Sequence, residues 1–321
     1  MQPVWLEIFN FVSYSEFVCA SFNMLYSCNC VYKSYHLIPL QNTPEYLKKR
    51  LYLPKWISWM YLRNFHSKSS SVMPPNDSTR KMLIENGFDP KTIHLWGRGV
   101  DLELYYPRNP DTTKYPKIDG RPILMYVGRV SVEKGIHDFL ELSLPGFTKY
   151  VVGDGPELTS LQYRYPDTIY PGKLFGNDLA IAYSNADVIV FPSKSDTWGN
   201  TITEAMASGT PVAGFRAPGS LDLITKNSVG SVNDSLEIAI KEAYANGDSK
   251  ECVRHITTHY TWDVATQQFL DNLVPIRCHN NVPCEQTPHT EFYQNLFLFM
   301  LIGALLKRYF KKRRKLTSKS I

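Results

Sequence analysis

The stretch VIVFPSKSDTWGNTITEAMASG, residues 188–209, decides the fold. Val188, Ile189, Val190 and Phe191 form an apolar run with no polar alternation, as expected of a strand buried on both faces. Pro192 ends it. Residues 193–200 are small and polar and read as a loop. Residues 201–207 then read as a helix that stops at Gly209. A fully buried strand followed at once by a helix belongs to a parallel α/β sheet.

The same alternation extends in both directions. Residues 123–127 are apolar and end at Gly128, and a helix is expected over about 134–142. Residues 150–152 form a strand ending at Gly153. Asp178 is expected to cap a helix running to 184. Residues 212–214 form a short strand. Asp234 with Glu237 is a capping box that opens a helix to 245, with Gly247 past its end. A last amphipathic helix covers 261–273. Upstream, residues 44–65 read as helical on both sides of Pro54. Asn76-Asp77-Ser78 starts a helix that Gly87 caps, and 93–96 is a short strand. Residues 107–121 hold three prolines, a glycine and several charges, a linker composition. Four segments follow: 1–31, aromatic-rich and without a sustained period; 32–112, an amino-terminal domain; 113–275, a parallel-sheet domain; and 276–321, a tail. Ligands in such sheets sit at the carboxyl ends of the strands.

Composition excludes several classes. The 321 residues are 43% hydrophobic and 20% charged, enough to build a core rather than a disordered chain. The net charge is +5, but eight Lys/Arg and no acid lie beyond residue 295; without those eight the remainder carries −3. A nucleic-acid-binding body would be basic in itself, so no nucleic-acid partner is expected. The six cysteines lack CxxC pairs and read as free thiols of a reducing compartment. No basic segment precedes the first apolar residues, so no signal peptide is expected. The sequons at Asn76 and Asn233 matter only for a lumenal body, and a cytosol-facing one is expected. In the tail, residues 295–306 are nearly all apolar, short of the about 20 needed to span a bilayer. The basic cluster that follows suits anionic headgroups. A membrane surface bound through residues 292–315 is the expected partner; a cytoplasmic protein with a docked terminal helix is the alternative.

Two loops carry the candidate chemistry. Gly153-Asp154-Gly155 lacks the third glycine of a dinucleotide fingerprint, because position 158 is Leu. No phosphate-binding GxxxxGK[ST] loop and no Asp-x-Asp pair occur, so no metal or other cofactor is expected. His255 and His259 read as a polar helix face. The loop Gly128-Arg129-Val130-Ser131-Val132-Glu133-Lys134-Gly135 sets two cations between a strand and a helix, which suits an anion. In the second loop, Gly199 allows close approach of a ligand. The amides of Asn200 and Thr201 open a helix, and Asp196 and Glu204 supply carboxylates suited to hydroxyl-rich ligands.

In order along the chain, WGRGVDLELYYP (96–107), GRVSVEKG (128–135), VVGDGPEL (151–158), FPSKSDTWGNTITEAMASGTPVAG (191–214) and YTWDVATQQF (260–269) resemble the family 4 retaining glycosyltransferases. The similarity covers about residues 34–273 and is nearest to GDP-mannose-dependent α-mannosyltransferases and sulfoquinovosyl-lipid synthases. The resemblance implies a GT-B-like α/β fold: two Rossmann-type parallel-sheet domains, the first of them truncated here, with the active site between them. It implies that Arg129 and Lys134 bind the donor diphosphate beside Gly128, and that Asp196, in place of the family's first Glu, holds the transferred sugar. It further implies that Glu204 holds the ribose, that Gly199, Asn200 and Thr201 offer amides to the phosphates, and that Gly172 and Lys173 lie by the base. Ser34-Tyr35-His36 matches the family's Ser-Tyr-His, whose His faces the sugar, although residues 37–41 are an insertion after it. The implied reaction moves a hexose from a nucleotide sugar to a lipid or glycan hydroxyl, retains configuration and needs no metal. The family's Gly-rich opening segment has no counterpart in residues 1–31, so a catalytically inactive remnant that binds nucleotide sugar, or acts as an interaction protein, is the alternative. A pyridoxal-phosphate phosphorylase is disfavoured, since no lysine motif for the Schiff base is present.

Deleting residues 292–321 is expected to move the protein from the membrane fraction to the soluble one with nucleotide binding intact. Persistence of the deleted form in the membrane pellet would remove the tail as an anchor.

Overall fold

Apolar runs on alternating sides of the chain decide which strands become neighbours. In the computed structural model, which describes residues 35–37, 55–67 and 69–273, β1 (Tyr35–Leu37) pairs in parallel with β2 (Ser71–Met73), Tyr35 opposite Ser71. Between them lies α1 (Lys55–His66), and β2 leads into α2 (Asp77–Glu85). Trp59, Val72, Leu83, Phe88 and Ile93 form a small core for this amino-terminal piece. The strand expected at 93–96 is reduced to a bridge from Val72 to Ile93, continued by the amides of His94 and Trp96, which donate to the carbonyls of Val72 and Pro74 at 3.0 Å. Readings that fall on 1–31, 44–54 and the tail from 274 lie outside the described residues.

The larger sheet follows the linker. Its elements are β3 (Ile123–Val127), α3 (Ile136–Leu140), β4 (Thr148–Val152), α4 (Leu158–Arg164), β5 (Ile169–Gly172), α5 (Gly176–Asn185), β6 (Val188–Phe191), α6 (Asn200–Ala207), β7 (Val212–Phe215), α7 (Pro218–Leu221), β8 (Gly230–Asn233), α8 (Leu236–Asn246), α9 (Ser249–His259) and α10 (Trp262–Asp271). Six strands pair in the order β5-β4-β3-β6-β7-β8, all parallel. The order turns back between β3 and β6, the point where doubly wound sheets open a crevice. Successive β3 residues feed opposite cores. Ile123 and Met125 pack with Ile202 and Met206 of α6. Leu124 and Tyr126 pack with Ile136 and Phe139 of α3. Of the expected pair of Rossmann-type sheets, the described residues hold a six-stranded parallel sheet and a separate two-stranded one.

Several local expectations are corrected. The helix expected over 134–142 begins as a 3-10 turn at Val132–Lys134, breaks at Gly135 and resumes as α3. Gly135 sits at φ 70°, and a Cβ there would lie 2.4 Å from the Pro192 carbonyl oxygen, so only glycine fits. The cap of α8 is Ser235, not Asp234; its hydroxyl accepts from the Ile238 amide. Asp178 lies in the first turn of α5, and Phe175 is the cap residue. Gly87 is at φ 85° just past Asn86, which is the cap residue of α2. His255 is not on a polar face. It is 8% exposed, and its Nε2 is 3.0 Å from the Leu223 carbonyl oxygen, a buried histidine with a partner. Cys252, the cysteine among the described residues, is free and buried. No helix among the described residues is long and apolar enough to cross a membrane.

The amino-terminal piece is tied to the sheet domain at two places. Around α10, the Trp96 indole donates to the Ala265 carbonyl at 3.0 Å, the Gly97 amide to Gln268 Oε1 at 3.0 Å, and Asn272 Nδ2 to the Leu95 carbonyl at 2.8 Å. At α2, the buried Asn76 accepts from the Thr79 amide at 3.0 Å, capping the helix, and donates through Nδ2 to the Thr197 carbonyl. Beside it, the Ser78 amide donates to Asp222 Oδ2 at 3.1 Å.

Gly153, at φ 145°, would place a Cβ 1.8 Å from the Gly128 carbonyl oxygen. Gly153→Ala is expected to destabilise the fold by about 2 kcal/mol or more through overpacking and backbone strain. Gly146→Ala, where no atom lies within 4 Å, should be near neutral; urea midpoints of the two variants make the comparison. Asn76→Ala removes a cap and leaves a carbonyl without its donor, for an expected loss of about 2 kcal/mol in the same assay.

Candidate functional site

The loops after β3 and β6 leave the sheet side by side at its carboxyl edge. The first is held from below. The Gly128 amide donates to the Val152 carbonyl at 3.0 Å and the Val130 amide to the Asp154 carbonyl at 2.9 Å. Gly155 lies close under Val130, leaving no room for a Cβ. Gly153-Asp154-Gly155 is thus a platform for the loop that carries Arg129 and Lys134. Tyr126 completes the support: its hydroxyl donates to the Arg129 carbonyl at 2.6 Å. Burial raises the Tyr126 phenol well above its ordinary value, helped by the charges of Asp196 and Glu133, so it stays a donor. Sequence reading missed this role because Tyr126 looks like one more residue of an apolar strand.

The charged side chains divide in two. Lys134 reaches across the crevice, with its Nζ 2.6 Å from Asp196 Oδ1; their side chains are 28% and 13% exposed. The structure therefore brings together two residues taken from different loops, 62 positions apart. Arg129 does not join them: its side chain is 65% exposed and lies 3.8 Å from Glu133. It stands at the rim, able to turn toward an anion but not held there.

The second loop runs Ser193–Gly199 into α6. Gly199 precedes the helix and accepts from the Ile202 and Thr203 amides. The amides of Asn200 and Thr201 are the first-turn donors that helix geometry leaves without an intrahelical acceptor. A Cβ on Gly199 would lie 2.7 Å from Ile202 Cδ1, so a larger residue there would have to displace the Ile202 side chain. Glu204 lies one turn on. Its Oε2 accepts from the Tyr183 hydroxyl at 2.7 Å. Burial raises the Glu204 carboxyl from its ordinary value, and the Tyr183 bond opposes that rise. Tyr183 was read only as helix body; no sequence pattern marks a tyrosine on α5 as the partner of a carboxylate on α6.

The remaining expected residues take peripheral places. Gly172, at φ 82°, ends the edge strand β5 and accepts from the Gly153 amide at 2.9 Å. Lys173 follows it, with its Nζ 4.7 Å from the centre of the Phe175 ring. His36 is placed by its backbone, opposite Val72 in the two-stranded sheet; its side chain lies outside the described residues. Asn76 is buried and bonded on both sides of its amide, so the sequon at 76 is closed in the folded protein. Among the described residues no group of three or more His, Cys, Asp or Glu could hold a metal ion.

Residues 121–247 match the family described as glycosyl transferases group 1. The chain is 35% identical over 176 residues to a GDP-mannose-dependent α-mannosyltransferase of Mycobacterium tuberculosis, covering 54% of this chain and 46% of that one. It is 29% identical over 237 residues to the sulfoquinovosyl transferase SQD2 of Arabidopsis thaliana, covering 70% of this chain and 44% of that one. Among solved structures, Anabaena HepE in complex with UDP and glucose superposes with a TM-score of 0.60 at 17% identity, covering 74% of this chain and 70% of that one. The chain spans about half the length of the curated relatives it matches. The residues that match the glycosyl transferases group 1 family, 121–247, are the ones that hold the six-stranded sheet and its paired loops.

Proposed function

We propose that the chain is a retaining α-glycosyltransferase that moves a hexose from a nucleotide sugar, GDP-mannose ahead of UDP-sugars, to a hydroxyl of a lipid or glycan. The observation that carries this reading is the Lys134–Asp196 pair where the strand order turns back, with the amino end of α6 brought to the carboxyl end of β3 by the Thr201 hydroxyl, which donates to the Val127 carbonyl at 3.4 Å. An anion between these groups would meet an ammonium, first-turn amides and a helix dipole of one sign. Glu204, four residues further along α6, suits the hydroxyls of the attached ribose. The name of the mannosyltransferase relative supports GDP-mannose; that of SQD2 supports a glycolipid product.

In this reaction the acceptor oxygen bonds to the anomeric carbon on the face from which the diphosphate departs. The bond from that carbon to the phosphate oxygen breaks, and the acceptor proton passes to the leaving phosphate. The protein then has one main task, which is to stabilise charge growing on the leaving group. Lys134 does so from within the crevice, and Arg129 swings in from the rim. Asp196, released from Lys134 by the arriving diphosphate, accepts from hydroxyls of the transferred sugar. The body faces the cytosol, held at a membrane surface by residues 292–315.

A second reading has one observation in its favour: on the amino-terminal side the described residues hold a two-stranded sheet, against six strands on the donor side. On that reading the chain binds nucleotide sugar without transferring it.

Titration calorimetry of the full chain with GDP, UDP, GDP-mannose and UDP-glucose tests the donor site. Binding of the guanine pair, weakened in Lys134→Ala and Arg129→Ala, is the expected result. Turnover of each variant should fall by a factor on the order of 100, since each loses a charge-assisted contact that strengthens as the phosphate leaves. Unchanged binding and turnover in both variants would sink the diphosphate assignment. Nucleotide binding with no transfer to any hydroxyl acceptor would favour the second reading.

A further inference from the structure

Tyr183 is buried more deeply than its packing role requires. It is fully buried in the core it shares with Ile202, Ala205 and Met206 of α6. Tyr105 presents an edge to it, with ring centres 5.8 Å apart and planes at 74°. Its main chain is pinned as well: the Thr210 hydroxyl donates to the Tyr183 carbonyl at 2.7 Å. Phenylalanine would fill the same space. The hydroxyl is the surplus feature, and a buried hydroxyl is costly unless it has a partner. It donates to Glu204 Oε2 at 2.7 Å, and the Thr201 side chain hydrogen-bonds to it as well.

A carboxylate held at one oxygen by a rigid donor is restrained in orientation and keeps its other oxygen as an acceptor. The donor also bears on the charge of the acid. Burial pushes the Glu204 carboxyl up, toward the protonated form, and the Tyr183 bond pulls it back down. An ionised carboxylate is acceptor-only, which is what a sugar hydroxyl needs from it. We propose that Tyr183 is a positioning residue of the donor site, holding Glu204 through Oε2 as an acceptor turned to the ribose hydroxyls of a nucleoside diphosphate. This rests on the donor-binding reading above and adds to it a residue that touches no ligand.

The test uses the full chain with GDP and UDP and their 2′-deoxy and 3′-deoxy forms, in titration calorimetry, on wild type, Tyr183→Phe, Glu204→Gln and the double variant. Wild type is expected to prefer the ribose form over at least one deoxy form by about tenfold, the scale of one hydrogen bond to a charged group. In Tyr183→Phe that preference should shrink to about threefold or less, while affinity for the less favoured deoxy form stays within about twofold. A structural role alone would weaken ribose and deoxy forms by the same factor; that result in a cooperatively melting variant overturns the proposal. Should Tyr183→Phe fail to fold alone, the Glu204→Gln background decides. There the added substitution should leave the ribose preference unchanged, and a further fall in it overturns the proposal. If wild type binds no nucleotide of either kind, the donor-binding reading falls and this one falls with it. If wild type binds and only the preference test fails, the donor-binding reading stands alone.

Discussion

The reversal of strand order between β3 and β6 is the constraint from which the site follows. β3 hands its chain to β4 on one side, and β6 hands its chain to β7 on the other. Parallel crossovers of one hand then place α3 and α6 on opposite faces of the sheet, as their separate cores record. Two loops are thereby forced apart at one edge, and the gap between them is the crevice. Everything chemical in the described residues is a consequence of what those two loops carry.

The crevice is charged but compensated. Lys134 and Asp196 are each partly withdrawn from water, and a buried ion has a desolvation cost that only a close partner offsets. The pair meets that requirement by itself. On the proposed function, a diphosphate would replace Asp196 beside Lys134, and hydroxyls of the sugar would donate to the Asp196 carboxylate. This is a physical reason for the cation and the acid to lie on different loops, where a ligand can come between them.

The sheet was legible wherever strands are apolar on both faces. ILMYV at 123–127 and VIVF at 188–191 declare themselves, because no other element combines that shortness with that hydrophobicity. β5, IYPG, and β8, GSVN, do not. They are edge strands, where one neighbour is missing and proline or serine is tolerated. α9 was read only through His255 and His259 as a helix face; the structure turns His255 inward with Cys252 and Ile256 and leaves lysine, arginine and threonine outside. In the site, residues that meet ligand-like charge are legible, because cations and acids beside a glycine turn are rare in combination. Residues that hold them, such as Tyr126 and Tyr183, look like ordinary core aromatics. Their hydroxyls acquire meaning only when the fold sets them against the Arg129 carbonyl and the Glu204 carboxylate.

Asn76 carries the coupling between the two sides of the molecule one step further. Its amide group has two ends, and each is used: the oxygen caps α2, while the nitrogen holds the Thr197 carbonyl. Thr197 is the residue after Asp196, so the start of an amino-terminal helix is bonded to the loop that presents the acid. A loop of seven residues, Ser193–Gly199, would otherwise sample many conformations, and the ordering of such a segment costs roughly 1 kcal/mol or more per residue. Bonding one carbonyl in its middle to a buried, helix-capping side chain removes part of that cost in advance. The amino-terminal piece contributes to the geometry of the loop that carries Asp196 through this contact. An account of the chain as a donor domain with a vestigial appendage misses that dependence: the loop that carries Asp196 is partly built by the piece that precedes the linker.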